Sequence, residues 1–286
     1  MNVDTKAAIS SNLWEALNGF NIKRVTLSLD SVWCGLINNV SILSQALISN
    51  NMETICIYLN AQPCMMEAMH GLPIKRLSLY DSGERLDINN VSSLYKLLSS
   101  LKQLEKLSVI VNNDSPGLWE ALHGLKIKSL SLNDGIGCLR LSHVTSLYYN
   151  VPSLSQLLSS FSQLETLHIK VCSYRRSGLW DAFRGLNIKS LSGLSGGLDG
   201  LVKDSAVKQM ETLSLVFPSL TLLETLSIGV DDDCGLSEAL RGLYIKRLCL
   251  SGGLSEGLHV HHAELLSQSL VSLTVPEYLS QNYATY

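Results

Sequence analysis

A short phrase returns five times along this chain of 286 residues: an apolar helix-forming stretch, a glycine, then Ile-Lys and alternating leucines. The first copy reads Leu13-Trp14-Glu15-Ala16-Leu17-Asn18-Gly19, with Ile22-Lys23 and then Val25 and Leu27. The others place Gly71 before Ile74-Lys75, Gly124 before Ile127-Lys128, Gly185 before Ile188-Lys189 and Gly242 before Ile245-Lys246. A unit this small cannot bury its apolar face alone, so neighbouring units have to stack. That constraint moves the functional question from a pocket to a surface.

A second kind of unit alternates with the first. Leu154, Leu157, Leu158 and Phe161 have helical spacing, and the stretch from Leu164 to Cys172 then alternates as a strand. The frame recurs around Glu53, Glu105 and Glu224, and a last copy runs from Leu266 to Val275. Five pairs predict ten helix–strand units. Their strand landmarks are Val25, Ile55, Leu77, Leu107, Leu130, Leu167, Leu191, Leu226, Leu248 and Leu273. Residues 210–215 imitate a strand but come only 13 residues before the next landmark, which leaves no room for another helix and turn. They are expected to form the helix of the eighth unit, shortened or kinked by Pro218.

Strands alternating with helices favour parallel pairing, and right-handed crossovers keep the helices on one side. Helices are wider than strands, so the stack is expected to curve with strands inside. The glycines at 19, 71, 124, 185 and 242 fall where a helix C-cap is wanted. Trp14, Trp119 and Trp180 share one repeat position and are expected to pack helices.

The strand pattern is leucine, two variable residues, leucine, one variable residue, leucine, then Asn60, Asn112, Cys172 or Asp231 three positions later. This resembles the leucine-rich repeat family, in its longer helix-bearing, ribonuclease-inhibitor-like class, over residues 12–276. The first-type units depart from it with Asp30, Ser82, Gly135 and Gly253 at the Asn place, so an internal Asn ladder is incomplete. The paired phrase also looks like repeats of large invertebrate nucleotide-binding, innate-immune receptors. The resemblance implies an α/β leucine-rich repeat solenoid, a horseshoe of about ten repeats with strands concave and helices convex. Residues 1–286 are taken as one such domain, ending in a tail over 277–286.

The repeats also carry a charge pattern. One residue after each strand's first apolar position stand Lys23, Lys75, Lys128, Lys189 and Lys246 in the first type, and Glu53, Glu105, Glu165 and Glu224 in the second. Parallel strands lie about 4.8 Å apart, so these positions are expected to form an alternating row, broken at Val271. Such a row would resist slippage by one unit, because slipping stacks like charges.

Composition narrows the function class. A net charge of −3 supplies neither the basic field of a nucleic-acid binder nor an acidic tail, so nucleic acid is not an expected partner. No run approaches the roughly 18 apolar residues that cross a bilayer. Residues 1–6 lack the basic-then-apolar design of a signal peptide. Seven cysteines are dispersed without a CxxC pair, which favours reduced thiols and a cytoplasmic location. His259, His261 and His262 miss standard zinc spacing, and Asp231, Asp232 and Asp233 miss that of a calcium loop, so no metal is expected. The glycine-rich stretch 193–200 matches no phosphate-binding motif and is assigned to turns. No nucleophile, base and orienting group converge, so no catalytic residue and no cofactor are assigned.

The concave strand face is the better candidate, because residues between buried leucines point away from the core. The expected partner-binding residues are Arg24, Thr26, Thr54, Tyr58, Arg76, Ser78, Tyr80, Lys106, Ser131, Asn133, His168 and Lys170, with Cys56 among their neighbours. The larger groups concentrate in the N-terminal half, and Tyr and Arg are the usual anchors of interfaces. A protein partner is expected, and two roles accommodate it. One is the ligand-sensing or autoinhibitory repeat region of an intracellular innate-immune-type receptor. The other is a stand-alone inhibitor, scaffold or substrate adaptor. Terminal units usually need polar caps; none is distinct here, which suggests either a segment of a longer chain or weakly protected ends.

Overall fold

The computed structural model describes residues 2–4, 23–27, 40–50, 52–58, 63–80, 88–111, 116–134, 151–170, 180–194, 213–229, 240, 243–252 and 278–283. The chain divides into two compact units. The first comprises Met1–Leu130 with Ser160–Gln163, and the second Ser131–Ser159 with Leu164–Tyr286.

In the first unit, strands β1 (Asn2–Asp4), β2 (Arg24–Leu27), β3 (Thr54–Tyr58), β4 (Arg76–Tyr80) and β5 (Lys106–Val111) pair in parallel in chain order. The intervening helices are α1 (Val40–Ser49), α2 (Pro63–Ala68) and α3 (Ile88–Ser100), and α4 (Pro116–Leu122) follows β5. In α3, Leu94, Leu97 and Leu98 are buried, three and four residues apart as one helix face requires. The strand row Ile55, Leu77 and Leu107 is buried with them, in register across β3 to β5. Strand β6 (Ser129–Asp134) follows α4 and buries Leu130 and Leu132.

Helix α5 (Val151–Ser160) precedes the strands of the second unit: β7 (Thr166–Lys170), β8 (Ser190–Leu194), β9 (Thr225–Gly229), β10 (Arg247–Gly252) and β11 (Tyr278–Tyr283). These too pair in parallel in chain order, with Leu167, Leu191, Leu226, Leu248 and Leu279 in one row. The connections described there are short. Trp180–Phe183 and Phe217–Ser219 are 3-10 turns. Residues 213–216 are helical, as expected for the eighth unit, and the turn tightens to 3-10 at Pro218. Proline there lacks the N–H that an α-helix would use and crowds the preceding turn.

Each unit is thus an open, solenoid-like α/β arrangement of parallel strands and helices. The landmarks from Val25 to Leu248 all lie in described strands. Leu273 lies outside the described residues; the residue in register with Leu248 is Leu279, and part of the expected tail forms β11. The helix-capping glycines behave as their position demands. Gly71, Gly124 and Gly185 all have φ +74°, the left-handed region that glycine enters without strain. Gly19 and Gly242 lie outside the described residues. No described helix is long and apolar enough to cross a membrane.

Candidate interaction surface

Strand burial alternates. In β4, Leu77 and Leu79 are buried, Arg76 is exposed, and Ser78 and Tyr80 are partly exposed. In β7, Leu167 and Ile169 are buried while Thr166 and His168 are partly exposed and Lys170 is exposed. Parallel sheets are ordinarily covered on both faces. On β4 and β7 the second face remains partly accessible and carries polar side chains.

The register sorts the expected contact residues into rows. Arg24, Thr54, Arg76 and Lys106 are partners across β2 to β5. Thr26, Cys56, Ser78 and Ser108 form the next row, and Tyr58, Tyr80 and Ile110 a third. The side chains of Thr26 and Tyr58 lie outside the described ones. Ser131 and Asn133 are partly exposed on β6, where Asn133 Oδ1 is buried without a hydrogen-bond partner. His168 and Lys170 stand on β7. Cys56 departs from expectation: it is only 1% exposed, a short side chain flanked in its row by Thr26 and Ser78.

Beside the first row runs the alternating charge row, built by both backbone and side chains. The carbonyls of Lys23, Glu53, Lys75, Glu105, Glu165, Lys189 and Glu224 each accept two N–H groups from the next strand. Glu53 O takes those of Lys75 and Arg76 at 3.0 and 2.9 Å, and Glu105 O those of Lys128 and Ser129 at 2.8 and 3.0 Å. The side chains then pair in one direction. Glu53 meets Lys75 at 3.4 Å, Glu105 meets Lys128 at 3.1 Å, Glu165 meets Lys189 at 3.1 Å and Glu224 meets Lys246 at 3.0 Å. Each glutamate thus reaches the lysine of the following strand; among the described residues none pairs with the lysine before it. The Lys128 ammonium, by hydrogen bond and by charge, holds the Glu105 carboxyl below its ordinary range, with smaller help from Lys75 and Lys106. Exposed ion pairs such as these add little stability each.

A serine–glycine contact between neighbouring repeats adds to what the sequence predicts. Ser100 Oγ accepts the Gly71 N–H at 2.9 Å, Ser160 Oγ that of Gly124 at 3.0 Å, and Ser219 Oγ that of Gly185 at 3.0 Å. Ser100 and Ser219 also donate to the carbonyls of Leu97 and Val216, both at 2.6 Å. The sequence signal was a serine five residues before Glu105, Glu165 and Glu224.

Burial pushes the ionisation of the His168 imidazole below its ordinary range, and the Lys170 charge adds to this. Its Nδ1 lies 3.0 Å from Ser192 Oγ. Gly193, assigned to turn duty in sequence, sits instead in β8 at φ +81°, where the pairing with β9 shifts between Leu191 and Leu194. Glycine is suited to such an irregularity in a strand, since it enters positive φ without strain. Trp119 and Trp180 are buried, and Trp180 meets Phe183 edge to face at 5.6 Å. Trp14 lies outside the described residues.

Neither a protein-family model nor a curated protein sequence matches the chain. Among the described residues, no group of three or more His, Cys, Asp or Glu is placed to hold a metal ion. The histidines at 259, 261 and 262, the aspartates at 231–233 and the Asn-place residues of both unit types lie outside the described residues.

Proposed function

We propose that this chain is a leucine-rich repeat protein whose open strand face binds a protein partner without catalysis. The observation that carries this reading is the accessible second face of a parallel sheet, bearing polar residues in cross-strand rows. Stacked repeats offer extended surfaces of this kind to macromolecules. Arg76 and Tyr80 stand on one strand and Tyr58 on its neighbour, side chains of the types that anchor interfaces. On the resemblance of its paired repeats, the chain serves as the sensing or autoinhibitory region of an intracellular innate-immune-type receptor.

The test is affinity capture with the chain as bait, followed by mass spectrometry. A variant carrying Tyr58→Ala, Arg76→Ala and Tyr80→Ala is run beside it, with thermal melts of both. A partner recovered by the original chain and lost by an equally folded variant supports the assignment. Equal recovery by the two moves binding off this face and overturns it.

A further inference from the structure

We propose that the first unit's strand face recognises an acidic peptide segment, lying across β2 to β5 with its carboxylates on Arg24, Arg76 and Lys106. This rests on the protein-binding reading above and names the partner's chemistry.

Arg24, Thr54, Arg76 and Lys106 are register partners on four adjacent strands. The three cations are exposed, and among the described residues none has an ion-pair partner. Arg76 and Lys106 stand directly opposite one another. Like charges so placed destabilise a sheet. The neighbouring row shows the ordinary solution, since Glu53 and Glu105 there compensate Lys75 and Lys128.

The repeat itself does not demand these cations. The corresponding row of the second unit reads Thr166, Ser190, Thr225 and Arg247, uncharged over its first three strands. The same fold is therefore built without the repulsion. A row of positive charge with no ion-pair partner among the described residues, on a chain whose net charge is −3, is explained by an anion that joins it.

The overall span of the row fits an extended peptide. Three strand steps carry the row across about 14 Å, at about 4.8 Å per step. Alternate side chains of an extended peptide share one face at about 6.7 Å intervals, so three carboxylates span about 13 Å. Glu53 and Glu105 flank the cations and disfavour a nucleic acid strand, whose charge lies along a continuous backbone. A peptide presenting its carboxylates on one face avoids them.

The experiment is fluorescence anisotropy with a labelled peptide alternating Glu and Thr over about nine residues, long enough to present a row of carboxylates on one face. Binding is expected, weakening as salt rises from about 0.05 to 0.5 M, where screening shortens the reach of exposed charges. Arg76→Glu with Lys106→Glu should weaken it about tenfold or more, since repulsion replaces attraction. Arg247→Glu, on the second unit, should leave it unchanged. Hydrogen exchange on the unsubstituted chain gives a readout independent of any variant's folding: the peptide should protect β3 to β5.

Absence of binding, equal binding by the reversed variant, or protection confined to β8 to β10 overturns the proposal. Equally tight binding of an oligothymidylate of the same length, lost on the same reversal, also overturns it in favour of nucleic acid. If the peptide fails while a captured partner is still lost by the triple alanine variant, only the partner's chemistry falls. If the captured partner also ignores that variant, the protein-binding reading falls with it.

Discussion

The ring of His168 occupies the space that a side chain on residue 193 would need. A Cβ built on Gly193 would lie 2.6 Å from His168 Cε1 and 2.8 Å from the carbonyl oxygen of Ile169. Gly193 has φ +81°, so two costs coincide at one position.

Gly193→Ala is therefore expected to destabilise the chain more than Gly71→Ala. At Gly71 a Cβ meets nothing within 4 Å, and only the left-handed backbone at φ +74° is strained. That strain costs about 1–2 kcal/mol for a residue with a Cβ. At Gly193 a backbone oxygen must move as well, and the expected loss is about 2 kcal/mol or more. Adding His168→Ala removes the ring but not the Ile169 carbonyl, so only part of the loss returns. Chemical denaturation of the three variants checks the order, and equal losses at the two glycines would contradict it.

Ser100→Ala tests the serine–glycine contact between neighbouring repeats. It removes an acceptor for the Gly71 N–H and a donor to the Leu97 carbonyl. Gly71 is exposed, so water replaces part of the loss and the expected cost is about 0.5–1.5 kcal/mol. The local readout is the Gly71 amide, whose hydrogen exchange should quicken while the Leu79 amide, within β4, changes little. Uniform quickening across both would mean that the serine supports the whole unit rather than one turn.

His168 should make stability depend on pH in a defined direction. Its folded pKa lies below the ordinary imidazole value of 6.5, because burial and Lys170 disfavour the charged ring. As pH falls through about 6.5, the unfolded chain takes up this proton first, so stability declines toward acid. The described groups facing the ring are Ser192, Gly193 and Lys170, none an anion that would reverse the sign. His168→Gln should flatten this part of the profile. The slope is the measure, since the substitution also alters the bond to Ser192.

Much of the fold was legible because it repeats. The apolar period locates the strands from Val25 to Leu248, and the alternation of Lys and Glu marks the residues of four ion pairs. The contacts that escaped notice join small groups far apart in sequence. Ser100 and Gly71 are 29 residues apart, and no local pattern tells which turn a hydroxyl will reach. Cys56 failed for a related reason. Alternation assigns a face, but not how far a short side chain on that face is covered by its surroundings. The direction of the Glu–Lys pairing was likewise invisible, because a row of equal spacing does not say which neighbour a side chain leans toward.

That direction is open to test at Glu105. Its folded pKa lies below the ordinary 4.5, first through the hydrogen bond from Lys128 and then through its charge. A carboxylate held in this way stabilises the fold above its unfolded pKa, and the contribution is lost as pH falls through the folded one. Glu105→Gln should therefore lower stability slightly at neutral pH and match the original chain below the window that opens near 4.5. The neutral-pH difference should also fade in about 1 M salt, where screening acts within about 3 Å. A double-mutant cycle separates the neighbours. Coupling of Glu105 to Lys128 should exceed that of Glu105 to Lys75, since only the former is in ion-pair contact, at 3.1 Å. Equal couplings would mean that the carboxylate divides its time between two strands, and that the row is continuous rather than built of pairs.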